Sequence, residues 1–595
     1  MLRAIGHRGP DDEGSVELPA PPFGSVWLGH RRLAILDLSA RGHQPMVTRT
    51  GRYTIVANGE IYNFRDIRAE LSSHGRHFNG SGDTEVLLAA WEEWGEACVE
   101  RLRGMFAFAL WDAEERALWL VRDRMGEKPL YFSPEPDGLV FGSEIRALLA
   151  SRLIDPVLDR DGLESYLAFG SVSQPLTLIR GVRAVEPGQI VKFQGGQFSR
   201  RHYWQLATVE ARTEETFEKA VDAVRVVLDA SIGRCQVSDV PIGLLLSGGV
   251  DSTTILARMA RRGDQLPATF SVGFTGRNEH LSELRWSDRV AASFGTDHHR
   301  IEIAPDDVRP LAVEAMAAMD QPSKDGVNHF IAMNAVAKAG YRVAITGQGA
   351  DELFFGYGNH RSYGASMALA HFGLPRGLHR ALEQSAVGFA PERERVGKLA
   401  MLLGPGEPEH LAYLARHVVF THREIEELLG TPCDPPARFV GSAGGEGMLD
   451  RLYRLETTRL LRNQLLRDGD QMSMAVSLEL RSPFVDHELV ERVFGLPERF
   501  KVCRSTAKPF LIRAADHPVV TEVSQRPKVG FAMPLHEWLG PSEDNRPTLD
   551  AARLGFEAAA VERHVGHAER GVRFERYWTM LVLDQWMRRH GVRPE

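Results

Sequence analysis

A serine- and glycine-rich loop constrains the fold of this chain more than any other feature. Its sequence is Ser247-Gly248-Gly249-Val250-Asp251-Ser252, and we call it the Ser-Gly loop. An apolar run, residues 242–246, comes directly before the loop, and a helical pattern comes directly after it. A short apolar run beside turn residues is typical of a strand buried in a parallel sheet. The sequence therefore predicts a strand, a tight loop and the start of a helix in immediate succession.

The Ser-Gly loop has a composition suited to binding phosphate. Its glycines let backbone N–H groups approach an anion closely, Ser247 and Ser252 add hydroxyl donors, and a helix N-terminus favours negative charge. The loop lacks the Gly-Lys-Ser/Thr ending of a Walker A loop. It matches instead the pyrophosphate loop of ATP pyrophosphatases, which cut ATP between the α- and β-phosphates. Asp251 is a carboxylate suited to Mg²⁺. For this motif alone, the alternative is a turn that only caps a helix.

A second loop follows another predicted strand, residues 342–346. Its sequence is Gly347-Gln348-Gly349-Ala350-Asp351-Glu352, and we call it the Gly-Gln loop. Ligands of open parallel sheets bind beyond the carboxyl ends of the strands. We therefore expect Asp251 and Asp351 to face one metal ion. The alternative is a turn that carries a solvated acidic pair.

The pattern of elements divides the chain of 595 residues into two domains. After about residue 200, strands alternate with helices, which indicates βαβ units and a parallel α/β sheet, and the pattern is mostly helical from about residue 360. Before it, strands occur in runs with two helices between them, the second predicted over residues 84–94 with Asp83 as its cap, which indicates a layered α+β domain. We predict domains at residues 1–200 and 201–595. The predicted strands are residues 26–38, 53–62, 105–111, 118–122, 242–246, 268–274, 300–303 and 342–346.

Composition excludes several classes of function. The net charge of −8 gives no basic excess for nucleic acid. No apolar run approaches the roughly 18 residues that span a bilayer, and the chain does not open with a secretory signal. A cytoplasmic protein without nucleic-acid or membrane partners is expected. Scattered cysteines make a disulfide framework or zinc site an unfavoured interpretation; they are Cys98, Cys235, Cys433 and Cys503.

Taken together, the motifs resemble the glutamine-dependent asparagine synthetases over nearly the whole chain. Five blocks resemble the synthetase half of that family, namely residues 244–252, 270–274, 347–353, 472–486 and 526–531. Six blocks resemble its glutaminase half, namely residues 7–14, 32–36, 42–46, 58–63, 81–85 and 123–130. The resemblance implies an N-terminal-nucleophile (Ntn) hydrolase αββα sandwich followed by an ATP-pyrophosphatase domain.

The resemblance also implies roles for residues of the synthetase half. Leu246 and Val272 contact the adenosine, and both loops contribute to the nucleotide site. The residues that hold the pyrophosphate of ATP are Ser247, Gly248, Gly249, Asp251 and Ser252, with Gly347 and Gln348 beside them. Asp251 and Asp351 bind Mg²⁺. Lys528 stabilises the charge that develops on the phosphates and the acyl-adenylate.

For the glutaminase half, the resemblance implies a glutamine site. Arg32 binds the glutamine carboxylate, and its segment is Arg32-Leu33-Ala34-Ile35-Leu36. Glu60 and Asp83 hold the amino group. The Asn58 amide and the Gly59 N–H form the oxyanion hole.

Two departures from the family pattern bear on function. The family nucleophile is a cysteine directly after the initiator methionine, on a first strand; here Met1-Leu2-Arg3 leads almost at once into the His7-Arg8-Gly9-Pro10 signature. Either translation starts further upstream, or the glutaminase is inactive and the nitrogen comes from ammonia or a substrate amine. In addition, Gln348 stands where the aspartate-specific enzymes carry a glutamate. It cannot act as a base, so the acceptor stays open.

The expected activity is ATP-dependent amidation of a carboxylate, with aspartate as the leading acceptor. The route is an acyl-AMP intermediate that releases pyrophosphate and then AMP. Nitrogen comes from glutamine if an upstream cysteine exists, and otherwise from ammonia. The alternatives are amidation of a different carboxylate, intramolecular amide formation as in β-lactam synthetases, and a scaffold protein without activity. The partners are these small molecules, and a homodimer is a possible assembly.

Overall fold

In the computed structural model of the chain, the described residues are 1–595 without 22–23, 137, 210–215, 276–282, 357–359, 376–377, 380, 383–390, 442–443, 446, 502–506, 527–534 and 541–548. Among the described helices, none is long and apolar enough to cross a membrane.

The described residues of the N-terminal half form eleven strands and five α-helices. The strands are β1 (Asp12–Pro19), β2 (Ser25–Arg32), β3 (Met46–Val47), β4 (Tyr53–Ile61), β5 (Gly104–Asp112), β6 (Ala117–Arg122), β7 (Tyr131–Glu135), β8 (Gly138–Gly142), β9 (Arg183–Ala184), β10 (Gln189–Gln194) and β11 (Gln197–His202). The helices are α1 (Phe64–Ser73), α2 (Asp83–Trp94), α3 (Cys98–Arg101), α4 (Ile145–Leu149) and α5 (Arg160–Phe169). An antiparallel sheet has the order β11-β10-β6-β5-β4-β3, beside the sheet β8-β7-β9 and the hairpin β1-β2.

The alternation of side chains along β5 shows why this half forms layers. Phe106 and Phe108 point to one face of the sheet and pack with residues of α1 and α2. Ala107 and Ala109 point to the opposite face and pack against β2 and β7. A further core joins β7 and β8 to α4 and α5. The layers are therefore helix, sheet, sheet, helix, which confirms the predicted αββα sandwich.

The C-terminal half is built on a parallel sheet of order β14-β13-β12-β15-β16. Its strands are β12 (Ile242–Leu245), β13 (Ala268–Phe274), β14 (His298–Ile303), β15 (Val343–Ile345) and β16 (Glu479–Arg481). The helices up to β15 and directly after it are α6 (Phe217–Cys235), α7 (Val250–Arg262), α8 (Leu284–Phe294), α9 (Pro305–Ala318), α10 (Gly326–Lys338) and α11 (Ala350–Phe354). The predicted alternation of strands and helices is confirmed.

The remainder is helical, as predicted. The helices are α12 (His360–Phe372), α13 (Pro391–Leu402), α14 (Pro408–His417), α15 (His422–Leu429), α16 (Met448–Leu455), α17 (Leu466–Met474), α18 (His487–Phe494), α19 (Glu498–Lys501), α20 (Pro509–Ala515), α21 (Pro518–Val523), α22 (Leu535–Leu539), α23 (Ala551–Leu554), α24 (Ala558–Glu569) and α25 (Phe574–His590). A π-helical segment, Glu456–Leu465, joins α16 to α17. Short 3₁₀ segments are Leu2–Arg8, Ala40–Gly42, Gly95–Ala97, Leu206–Thr208, Pro436–Phe439 and Pro483–Val485.

Two details of the sequence prediction were wrong. The strand predicted over residues 26–38 ends at Arg32, because the Arg32 guanidinium binds the backbone carbonyls of Leu36 and Ser39 and holds the following residues in a loop. Asp83 was expected to cap α2, whereas the helix begins at Asp83 and Gly82 occupies the cap position.

The two halves share one hydrophobic core. Residues of α5, such as Tyr166 and Leu167, pack in the same buried cluster as Val327 of α10 and Trp586 of α25. The Tyr166 hydroxyl also donates a hydrogen bond to the carbonyl of Thr579, across 413 residues of chain.

Candidate active sites

The Ser-Gly loop turns sharply between β12 and α7. Gly248 has a φ of 67°, in the region that favours glycine, and Gly249 is the cap residue of α7. The Gly249 N–H donates to the Ser247 hydroxyl at 3.2 Å, and that hydroxyl lies 3.2 Å from the Ser252 hydroxyl. The loop therefore joins hydroxyl groups to a helix N-terminus, as an anion site requires.

The Ser-Gly loop and the Gly-Gln loop lie side by side. Their strands are neighbours, with Leu244 of β12 paired in parallel to Ile345 of β15. A Cβ atom on Gly347 would lie 2.9 Å from the Cβ of Asp251, so only glycine allows the two loops to approach this closely.

The two predicted metal ligands converge on one cation, and that cation is a lysine. The Lys508 ammonium lies 2.5 Å from Asp251 Oδ1 and 2.7 Å from Asp351 Oδ1. Burial alone would lower the pKa of Lys508, but the two carboxylates outweigh it and raise the pKa to about 12. Oxygen donors of this kind, held around one point, fit Mg²⁺.

Sequence reasoning missed Lys508. It lies 257 residues from Asp251 in the chain, directly before α20, and no motif distinguishes it from the other basic residues. Lys528, the lysine singled out from the sequence, lies outside the described residues. Arg526, two positions before it, lies beside the Ser-Gly loop, because a Cβ atom on Gly249 would be 3.3 Å from Arg526 Nη2.

Gln348 donates from its side-chain amide to the carbonyl of Leu465, the last residue of the π-helical segment, at 2.6 Å. The same nitrogen lies 3.4 Å from His329 Nε2. Ser482 donates from its hydroxyl to the Gln348 carbonyl. An ionised glutamate could not donate to Leu465, so this contact gives a physical reason for glutamine at this position.

The two residues predicted to contact adenosine lie on neighbouring strands. Leu246 is buried directly after β12, and its N–H donates to the Phe270 carbonyl of β13 at 2.8 Å. Val272 is half-buried on β13, opposite Ile301 of β14.

The N-terminal half contains a cavity of about 1520 Å³, which we call the N-terminal cavity. It brings together Asn58, Gly59, Glu60 and Asp83. Of the predicted segment 32–36, the lining residues are Arg32, Leu33, Ile35 and Leu36. Ala34 is buried outside the lining, and its N–H donates to Asp11 Oδ2 at 2.8 Å.

The polar wall of the N-terminal cavity is rich in acceptors. Burial, together with the Asp83 and Glu479 charges, raises the pKa of Glu60 well above its usual value. Burial likewise raises the pKa of the Asp83 carboxyl, which accepts a hydrogen bond from the Ile61 N–H at 2.8 Å. Within the described part of the chain, Asn58 Nδ2 and Glu60 Oε2 are buried without a hydrogen-bond partner. A ligand with an amino group and a carbonyl oxygen matches these two atoms.

Gly59 of β4 allows a close approach to the backbone of β5 next to this wall. Its φ is 129°, and a Cβ atom there would lie 2.0 Å from the Met105 carbonyl oxygen. Arg32 also lines the cavity, and its guanidinium donates to the carbonyls of Ser39 at 3.0 Å and Leu36 at 3.1 Å.

A buried series of charges runs from the N-terminal cavity to the C-terminal half. Glu60 lies 3.5 Å from Arg481 of β16, which in turn lies 2.9 Å from Glu479. Lys128 lies 3.7 Å from Glu479 and 3.5 Å from Asp470 of α17. The charges alternate in sign, as buried ionised groups require.

No cysteine is among the described residues that line the N-terminal cavity. Cys98 and Cys235 are buried elsewhere, and burial raises the pKa of both thiols. Cys433 is half-buried, and burial with the Glu164 and Glu426 charges raises its pKa to about 12. Cys503 lies outside the described residues. None of the three described thiols has the lowered pKa of a reactive cysteine.

Comparisons with known proteins cover both halves. A family model for a glutamine amidotransferase domain matches residues 1–204, and one for asparagine synthase matches residues 223–588. A putative glutamine-hydrolyzing asparagine synthetase of Mycobacterium bovis is 33% identical over 610 residues, covering 98% of this chain and 91% of that protein. Glutamine-hydrolyzing asparagine synthetase 1 of Bacillus subtilis is 33% identical over 605 residues, covering 98% and 92%. An amidase of Penicillium rubens is 27% identical over 595 residues, covering 91% and 85%.

Proposed function

The chain belongs to the glutamine-hydrolysing asparagine synthetase family, and we propose that it converts aspartate to asparagine through an acyl-AMP intermediate. As a member of that family it is a ligase that forms amides at the expense of ATP, with glutamine as the nitrogen donor of the family. The observation that carries the proposal is the convergence of Asp251 and Asp351 on one cation beside the Ser-Gly loop.

In the first step, the acceptor carboxylate attacks the α-phosphorus of ATP, and the bond to the β-phosphate oxygen breaks. We assign the β- and γ-phosphates to the backbone and hydroxyls of Ser247, Gly248, Gly249 and Ser252. Asp251 and Asp351 would hold Mg²⁺, which neutralises phosphate charge. Leu246 and Val272 would border the adenosine, with Gly347 at the contact of the two loops.

In the second step, ammonia attacks the acyl carbon and AMP leaves. Gln348 is proposed to orient the acyl-adenylate, because its amide is fixed by Leu465 at the edge of the sheet. Lys528 is proposed to stabilise the developing negative charge.

We propose that glutamine binds in the N-terminal cavity. Arg32 would bind its carboxylate, within the segment 32–36, while Glu60 and Asp83 would hold its amino group. Asn58 and Gly59 would receive the oxyanion, which is supported by the unpaired Asn58 amide. Two sources of nitrogen remain as alternatives: glutamine cleaved by a thiol nucleophile encoded upstream of Met1, or ammonia taken directly from solution.

A different carboxylate acceptor is the second candidate. It is supported by Gln348, which cannot serve as a base. Intramolecular amide formation belongs to the same group of alternatives. A cytoplasmic location fits the scattered cysteines. The domain boundary at residues 200 and 201 and a homodimeric assembly stay predictions.

The test is an assay of the purified chain with MgATP and aspartate, first with ammonium and then with glutamine. Pyrophosphate and product mass are measured together. Asparagine from ammonium alone supports the synthetase proposal and assigns no glutaminase activity to this chain. Asparagine from both donors means that a residue of this chain replaces the cysteine. Pyrophosphate without asparagine rejects aspartate as the acceptor, and a product lighter by one water without added nitrogen indicates ring closure.

A further inference from the structure

A buried lysine occupies the point where the proposed function puts a metal ion. Lys508 lies 2.5 Å from Asp251 and 2.7 Å from Asp351, and its side chain is 5% exposed. We propose that Lys508 holds the magnesium position in the nucleotide-free protein and moves to the phosphates when MgATP binds. This inference rests on the proposed function in one respect, the assignment of Asp251 and Asp351 to Mg²⁺.

Charge balance is the first argument. Two carboxylates in a confined site repel one another unless a cation lies between them. An ammonium group has three N–H donors, and the two carboxylates use two of them. Because Lys508 already supplies the positive charge, a free divalent ion gains little at the site. A metal ion that arrives bound to ATP brings the negatively charged phosphates with it. The displaced Lys508 ammonium can then pair with these phosphates.

The local backbone is the second argument. Lys508 has φ 50° and ψ 45°, a left-handed conformation that is unfavourable for a lysine. It directly precedes Pro509, the first residue of α20. A residue held in such a conformation marks a place where the surrounding structure fixes the direction of the side chain. Here the direction is toward the Ser-Gly loop and the Gly-Gln loop.

Space for the lysine is the third argument. A Cβ atom on Gly356 would lie 1.9 Å from Lys508 Cε and 1.9 Å from Asp351 Oδ1. Glycine at this position therefore makes room for the lysine stem next to the carboxylate. The lysine stem is enclosed, but its ammonium end contacts Asp251 and Asp351 beyond the carboxyl ends of β12 and β15. The side chains of Asp251 and Asp351 are 24% and 22% exposed.

The competing interpretation is a permanent ion pair, in which Lys508 never leaves the carboxylates. The two interpretations differ in what a metal ion encounters. A permanent pair excludes metal from the site with or without nucleotide. An exchangeable lysine excludes metal only until nucleotide arrives.

Mn²⁺ binding to the full chain, followed by electron paramagnetic resonance, separates them. The wild type is expected to bind Mn²⁺ at this site only with a non-hydrolysable ATP analogue. Lys508→Met should bind Mn²⁺ about tenfold more tightly without nucleotide, because a competing unit charge is gone. Lys508→Gln is a second neutral variant that keeps hydrogen-bond donors. Adding Asp251→Asn to either variant should abolish the gained site.

Lys501→Met is the matched control. Lys501 is also buried, but its ammonium pairs with Asp450 at 3.1 Å, so its loss should leave Mn²⁺ binding unchanged. The inference is overturned if folded Lys508→Met and Lys508→Gln bind nucleotide-free Mn²⁺ no better than wild type, or if wild type already binds it tightly through Asp251. If Asp251→Asn leaves nucleotide-dependent Mn²⁺ binding unaltered, the metal assignment itself fails. The lysine inference then fails with it.

Discussion

Arg481 Nη2 lies 3.5 Å from Glu60 Oε1, so a residue of the synthetase sheet reaches the wall of the proposed glutamine site. Arg481 is fully buried and also contacts Glu479 at 2.9 Å. The contact joins the two halves through charge rather than through packing alone.

Replacing Arg481 should therefore destabilise the whole protein. Arg481→Met removes the ion-pair partner of buried Glu60 and leaves Glu479 with Lys128 at 3.7 Å, which costs about 3–5 kcal/mol in the free energy of unfolding. Urea unfolding measures this loss. The control is Arg342→Met, since Arg342 pairs with Asp11 at the surface and its loss should cost less than about 1 kcal/mol. Equal effects of the two variants would contradict the role of Arg481.

The raised pKa of Glu60 predicts a pH dependence of stability. A carboxyl whose folded pKa lies above its unfolded value, about 4.3, binds its proton more tightly when folded, so it destabilises the protein as pH rises past that value. Glu60→Gln removes this penalty. Its unfolding free energy relative to wild type should therefore increase as pH rises above about 4. Glu114→Gln, which removes an exposed carboxyl, is the control variant.

Gly59 should not tolerate a side chain. Gly59→Ala combines an unfavourable φ of 129° with a contact of 2.0 Å to the Met105 carbonyl, and we expect a loss of about 3–5 kcal/mol. Gly75→Ala is the matched control. Gly75 also has a positive φ, 84°, but a Cβ atom there would meet nothing within 4 Å. Gly75→Ala should cost only about 1–2 kcal/mol, so thermal unfolding of the pair separates steric contact from backbone strain.

The acidic pair at the sheet edge should be required for adenylation. Asp251→Asn and Asp351→Asn are each expected to slow pyrophosphate release about 100-fold, because phosphate charge is neutralised less well. Asp264→Asn is the control, since Asp264 pairs with Arg262 at the far end of α7. If either loop variant kept full activity, the carboxylate that it lacks would not be a metal ligand.

Gln348→Glu should lower the free energy of unfolding although the two side chains have the same shape. The glutamate would place an ionised oxygen against the Leu465 carbonyl in place of a donor, at a cost of about 1–3 kcal/mol. The deficit should shrink as the glutamate is protonated at low pH. Urea unfolding at two pH values tests this, with the exposed Gln197→Glu as control. Unchanged stability at neutral pH would mean that the Leu465 contact contributes nothing.

The sequence predicted β12, β13, β14 and β15 of the parallel sheet and the adjacency of its two loops, because apolar runs and glycine positions depend on local structure. It did not predict β16. It did not predict Lys508, because the contact between Lys508 and Asp251 exists only after 257 residues of chain have folded. The same holds for Arg481 and Glu60. The end of β2 at Arg32 was missed since the bonds that stop the strand come from the side chain and not from the apolar pattern.

The core shared by α5, α10 and α25 has a consequence for the modularity of this chain. Deleting the first 200 residues would remove Tyr166 and Leu167 from that core and leave an exposed apolar surface on the remaining residues. An ammonia-dependent fragment obtained by truncation would therefore aggregate rather than function. Exchange of whole halves between relatives would succeed only where the helices that form this shared core are exchanged together.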